Sequence, residues 1–135
     1  MNYVLYHSNC HDAFGVAYAA WKSLGIDNIT YMAVSCGAPL PELPEAETVY
    51  IVDFSYSSGI LLELANRVKK VVVLDHHKTA QEDLSNLTHP NIEIVFDMDK
   101  SGALIAWEYF HPNVPVPTLI KFWSACGCRC PVFLC

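Results

Sequence analysis

The stretch Val71-Val72-Val73-Leu74 carries no polar side chain at either parity. A strand with one wet face alternates apolar and polar residues, so a strand apolar at every position must be covered on both faces. The architecture that supplies two covers is a parallel sheet with a helical layer on each side. This one segment therefore excludes a sandwich with a solvated outer face and demands helices elsewhere in the chain.

The remaining periodicities supply them. Asn2–Tyr6 reads as a short strand. Phe14, Ala17, Tyr18, Trp21 and Leu24 recur at helical spacing over Asp12–Leu24, with Gly25 as the stop. Asn28–Val34 alternates as a strand, the Gly37–Pro44 stretch with its three prolines is a loop, and Thr48–Val52 is another strand. Ser57 or Ser58 caps a helix whose face is Ile60, Leu61, Leu64 and Val68. A short helical stretch follows Lys70–Leu74. The turn His89-Pro90-Asn91 leads into a strand at Ile92–Phe96, and Ser101 opens a helix to about Tyr109. This order predicts an α/β domain, a mostly parallel five-stranded sheet with helices on both faces.

Composition narrows the class. Of 135 residues, 53% are hydrophobic and 16% charged, enough apolar material for one folded domain and too much for a disordered chain. Fourteen acidic and eight basic residues give a net charge of −6 without a basic run, which argues against tight binding to duplex nucleic acid. The N-terminus lacks the features of a signal peptide, and no apolar run approaches the ~18–20 residues of a membrane span. A cytoplasmic location is expected, where the six cysteines stay reduced.

Chemistry gathers where the strands end. The first strand ends at His7, the Thr48–Val52 strand at Asp53, and the Lys70–Leu74 strand at Asp75-His76-His77. In a parallel sheet these ends share one edge, the edge outside which such proteins bind ligands. Asp12 opens the first helix near the same place. Carboxylates with imidazoles are the donor mix of Mn²⁺, Fe²⁺, Zn²⁺ or a carboxylate-bridged metal pair. Asp53 alone also reads as a turn or cap residue, and His76-His77 as an exposed polar pair opening a turn. Neighbours on an extended chain point to opposite sides, so only one of the two imidazoles is expected to face a given ion. His11, His89 and His111 have no strand-end placement.

Four segments carry a family resemblance. They are Leu5-Tyr6-His7-Ser8-Asn9-Cys10-His11-Asp12-Ala13-Phe14-Gly15, Ile51-Val52-Asp53-Phe54-Ser55, Val73-Leu74-Asp75-His76-His77-Lys78 and Asp99-Lys100-Ser101-Gly102-Ala103. In this order and on these strand ends, the chain from about residue 2 to 121 resembles the DHH phosphoesterase superfamily, which includes RecJ-like exonucleases and oligoribonucleases. The resemblance implies a two-metal phosphoesterase, usually Mn²⁺-dependent with Mg²⁺ or another divalent ion as a substitute. It assigns His7 and Asp12 to one ion, Asp53 to a bridge and His76 to the second ion. It puts Asp75 behind the site and His77 at the substrate phosphate. Ser101 and Gly102 would bind substrate at a helix start, or simply form a capped helix with a close contact. The implied partners are a small phosphorylated substrate or a short single-stranded oligonucleotide, and a homo-oligomer is compatible with the pattern.

The chain departs from that family in two places. Phe14 stands where a second aspartate is common, and no acidic side chain follows Glu108. The family pattern continues into a substrate-binding domain that these residues do not contain. The expected division is 1–121 for the metal-binding domain and 122–135 for a divergent tail holding Cys126, Cys128, Cys130 and Cys135. That tail reads as a frameshifted or replaced end, as a soft-metal site, or as an ordinary buried strand; the Cys-x-Cys spacing is unlike a zinc site. The alternatives to an enzyme are a catalytically impaired metal- or nucleotide-binding fragment and a non-enzymatic interaction module.

Overall fold

The computed structural model describes residues 1–8, 12–35 and 37–125. The strands are β1 (Asn2–His7), β2 (Ile29–Val34), β3 (Thr48–Val52), β4 (Lys70–Asp75) and β5 (Ile92–Phe96). The helices are α1 (Asp12–Leu24), α2 (Ser58–Ala65), α3 (Lys78–Asp83), α4 (Gly102–Phe110) and α5 (Thr118–Ala125). The sheet order is β2-β1-β3-β4-β5, and every neighbouring pair is parallel. The α/β class is as expected, and the sheet is wholly rather than mostly parallel.

Both faces of the central strands are covered, as the Val71–Leu74 run requires. Val71 and Val73 join Leu5, Ile51, Leu61 and Leu64 in one apolar cluster beneath α2. Val72 and Leu74 join Val4, Val52, Val16 and Ala106 in a second, beneath α1 and α4. Strand pleating sends alternate residues into the two clusters, so one strand serves both cores.

The helices correct two expectations. On α1 the buried side is Val16, Ala19 and Ala20, whereas Phe14 is 62% and Trp21 48% exposed. Small residues let α1 close against the sheet and α4, and the bulky rings are turned outward. Tyr18 links the two sides, its ring 6.4 Å from that of Trp107 and 6.5 Å from that of Phe14. The second correction is α5, which the proline-rich connection had concealed. Ile120 is fully buried in the α1–α4 cluster and anchors this helix, which runs through the expected boundary at residue 121. The residues of the cysteine-rich tail, 126–135, lie outside the described residues.

Two histidines without strand-end placement have structural uses. His111 pairs through Nε2 with the Ala19 carbonyl at 2.9 Å and stacks on Trp107 at 3.9 Å, clasping α1 to the end of α4. His89 Nδ1 accepts from the Asn91 N–H inside its turn. No helix among the described residues is long and apolar enough to cross a membrane.

Helix α2 offers a direct check of the two-sided core. Leu61 is fully buried and Leu62 is 37% exposed on the same helix. Leu61→Ala is expected to cost about 2–5 kcal/mol in urea unfolding, and Leu62→Ala about 0.5 kcal/mol.

Candidate metal centre

Register places the site. Tyr6 pairs with Val52, and Val52 with Leu74, so the next residues His7, Asp53 and Asp75 form one row along the carboxyl edge. From β1 the chain crosses to β2 on one side and then to β3 on the other. That reversal opens a crevice between β1 and β3. His7 and Asp53 flank it. All three row residues are buried, Asp53 and Asp75 with no exposure at all.

Asp53 is held in an unusual way. Its φ is +70°, in the left-handed region, where aspartate is tolerated better than most side chains at a cost of about 1 kcal/mol. Its N–H nevertheless continues the β3–β4 ladder by donating to the Leu74 carbonyl at 2.8 Å. The backbone turn thus occurs while the residue is still pinned to β4. His76 Nε2 meets Asp53 Oδ1 at 2.7 Å, joining the end of β3 to the segment after β4.

Asp75 organises the other half. Its Oδ1 accepts from the His76 N–H and from His77 Nδ1, both at 2.7 Å. Oδ2 is buried without a partner among the described residues. The His77 hydrogen bond to Asp75 raises the imidazole pKa, and it outweighs the burial that lowers it. Engaging Nδ1 leaves Nε2 as the outward nitrogen of His77.

The two imidazoles do not diverge as an extended chain predicts. Their centroids lie 4.5 Å apart, because the strand ends at Asp75 and each ring is drawn to a different aspartate. Asp75, His76 and His77 each offer a ligand atom, and these atoms all lie within 4.8 Å of one another. Together with the buried Asp53 carboxylate, this donor set fits a divalent cation. An ion that takes His76 Nε2 takes Asp53 with it, since those atoms already touch. Asp75 then braces the segment, holding the His76 backbone N–H and the imidazole of His77. His7 stands beside the same segment, its ring 6.3 Å from that of Phe54. The Asp12 side chain lies outside the described residues; its backbone starts α1.

Ser101 and Gly102 have a structural use that spacing alone left open. Ser101 Oγ accepts from the Leu104 N–H at 3.2 Å and caps α4. Gly102 is buried directly against Asp53, where an added Cβ would lie 2.8 Å from the Asp53 Cβ and overlap its carboxyl group. Only glycine lets the start of α4 approach so closely. A capped helix with a close contact was one of the two readings of this segment in the sequence; the structure adds that the contact is with Asp53. Sequence reasoning missed Phe54 and Tyr56, which pack edge to face at 5.2 Å beside the site.

No family model matches the chain. It is 37% identical over 131 residues to an uncharacterized protein of Acanthamoeba polyphaga mimivirus, covering 87% of this chain and 31% of that protein. A crystal structure of an uncharacterized protein from Helicobacter pylori matches with a TM-score of 0.64 and 14% identity, over 93% of this chain and 40% of that one. The structural likeness shows a shared α/β fold. The chain spans about a third of the length of the viral relative.

Two substitutions at the start of α4 separate the cap from the contact. Ser101→Ala is expected to cost about 1 kcal/mol of stability. Gly102→Ala is expected to cost about 1–3 kcal/mol, because the new methyl must displace Asp53. Urea unfolding of both variants measures the difference.

Proposed function

We propose that this chain is the metal-binding domain of a DHH-type phosphoesterase that hydrolyses a small phosphoester or a short oligonucleotide. The observation that carries the reading is the 2.7 Å convergence of Asp53 and His76 from two strand ends, with Asp75 bracing His77 behind them. Asp53 and His76, with His7 and Asp12 as the resemblance assigns them, would hold divalent cations of the Mn²⁺ type. Such ions, when bound, lower the pKa of water and neutralise phosphoryl charge.

The side chains themselves divide the remaining work. Asp53 presents a carboxylate whose position is constrained by its ladder bond and by Gly102. Asp75 holds the Nδ1 proton of His77 and raises the imidazole pKa, so the imidazolium form carries a second, transferable proton at Nε2, which is regained from solvent after each turnover. In hydrolysis the oxygen of water bonds to phosphorus and the bond to the leaving oxygen breaks. One water proton passes to solvent, and His77 Nε2 gives its proton to the leaving oxygen. We place the reaction in a reducing compartment such as the cytosol. A second reading, a metal-binding domain that does not catalyse, is favoured by Phe14, which stands where the resembled motif commonly has a second aspartate.

Manganese calorimetry tests the core of this proposal. The wild-type chain is expected to bind Mn²⁺, with Asp53→Asn and His76→Ala each at least about tenfold weaker. Absence of binding in the wild type overturns the proposal. Hydrolysis of bis(4-nitrophenyl) phosphate distinguishes the two readings. His77→Ala is expected to lower kcat about a hundredfold with Mn²⁺ affinity retained. Manganese binding without any turnover favours the non-catalytic domain.

A further inference from the structure

Beside His77, on the α2–α3 side of the sheet, lies a cleft of about 380 Å³. Phe54, Tyr56 and Ile60 make an apolar wall, Ser57 and Thr79 lie on its rim, and Asp75 and His77 connect it to the candidate metal centre. Its volume is near the lower end of the range for small-molecule sites, about 300–1,000 Å³, which suits one ring-and-sugar unit.

The charge of this cleft is informative. Its described lining contains no lysine or arginine and two aspartates, Asp75 and Asp83. The N-terminus of α2 would otherwise offer backbone N–H groups to an anion. There the Ser58 N–H already donates to Asp83 Oδ2 at 3.2 Å, so a carboxylate of the protein is seated where a phosphate would go. Ser57 caps this helix through its backbone geometry alone, and its hydroxyl makes no capping bond. The surface thus combines an aromatic and aliphatic wall and a free capping hydroxyl, and its one imidazole, His77, is already paired with Asp75. It offers a second phosphate no lysine or arginine and accommodates a neutral ring that bears hydroxyl groups.

We infer that the cleft binds the uncharged alcohol half of a phosphoester, a single nucleoside-sized unit. It selects phosphoesters of such alcohols over phosphoanhydrides whose leaving group is another phosphate. The inference rests on the phosphoesterase reading for the position of the reacting phosphoryl group, and it adds which side of that group the substrate extends toward.

Ligand-observed saturation-transfer NMR on the metal-free chain, with adenosine as the probe, tests it. Adenosine protons are expected to receive saturation from the protein, and an excess of pyrophosphate is expected to leave that signal unchanged. Thr79→Trp, at an exposed position on α3, fills the cleft from one side and should weaken adenosine about tenfold. Ile60→Trp does so from the other wall, and circular dichroism verifies that either variant is folded. No saturation transfer, transfer unaffected by both variants, or displacement by pyrophosphate each overturns the inference. Manganese titration of the same sample keeps the two failures apart. Manganese bound without adenosine overturns the cleft assignment alone, and adenosine bound without manganese supports the cleft and overturns the phosphoesterase reading.

Discussion

A fully buried carboxylate at the end of β3 is the constraint on which the rest of this edge depends. Placing Asp53 out of water is unfavourable unless polar partners surround it. The partners come from different parts of the chain. His76 reaches it from beyond β4, the Leu74 carbonyl holds its N–H, and Gly102 permits the start of α4 to lie against it. Each contact requires the others. A shift of β3 against β4 would break the ladder bond and carry Asp53 away from His76 together.

The site is therefore a product of the parallel sheet. Parallel strands bring all their carboxyl ends to one edge, and the reversal of chain direction at β1 opens a crevice there. Antiparallel pairing of the same strands would send His7, Asp53 and Asp75 to opposite edges. The two apolar clusters that bury Val71–Leu74 from both sides set the position of these polar groups as surely as their own hydrogen bonds do.

Acid and base character divides across the edge in the same way. Asp53 faces one imidazole and Asp75 the other, so the adjacent residues His76 and His77 have different environments. One ring sits against a buried carboxylate suited to sharing a cation. The other is tethered at Nδ1, has its pKa raised by that tether, and opens on the cleft. Two neighbouring side chains of one type thus take separate roles through their partners.

Period-two and period-3.6 patterns, being local, were enough to read the five strands, the α/β class and the carboxyl-edge gathering of His7, Asp53 and Asp75-His76-His77. The doubly apolar Val71–Leu74 run was enough to require two helical layers. Local pattern was not enough for α1, whose inward side is its small residues, because packing distance to α4 decides that and not hydrophobicity. Nor did it reveal α5, which is held by the burial of Ile120 against helices distant in sequence. The contact of Gly102 with Asp53 and the shared side of the two imidazoles depend on atoms about 50 and 23 residues apart meeting at one edge. Residue types and their periods determined which elements form and which chemistry they carry. Only tertiary structure decided which carboxylate meets which imidazole, because that depends on strand register, a left-handed backbone at Asp53 and the missing side chain of one glycine.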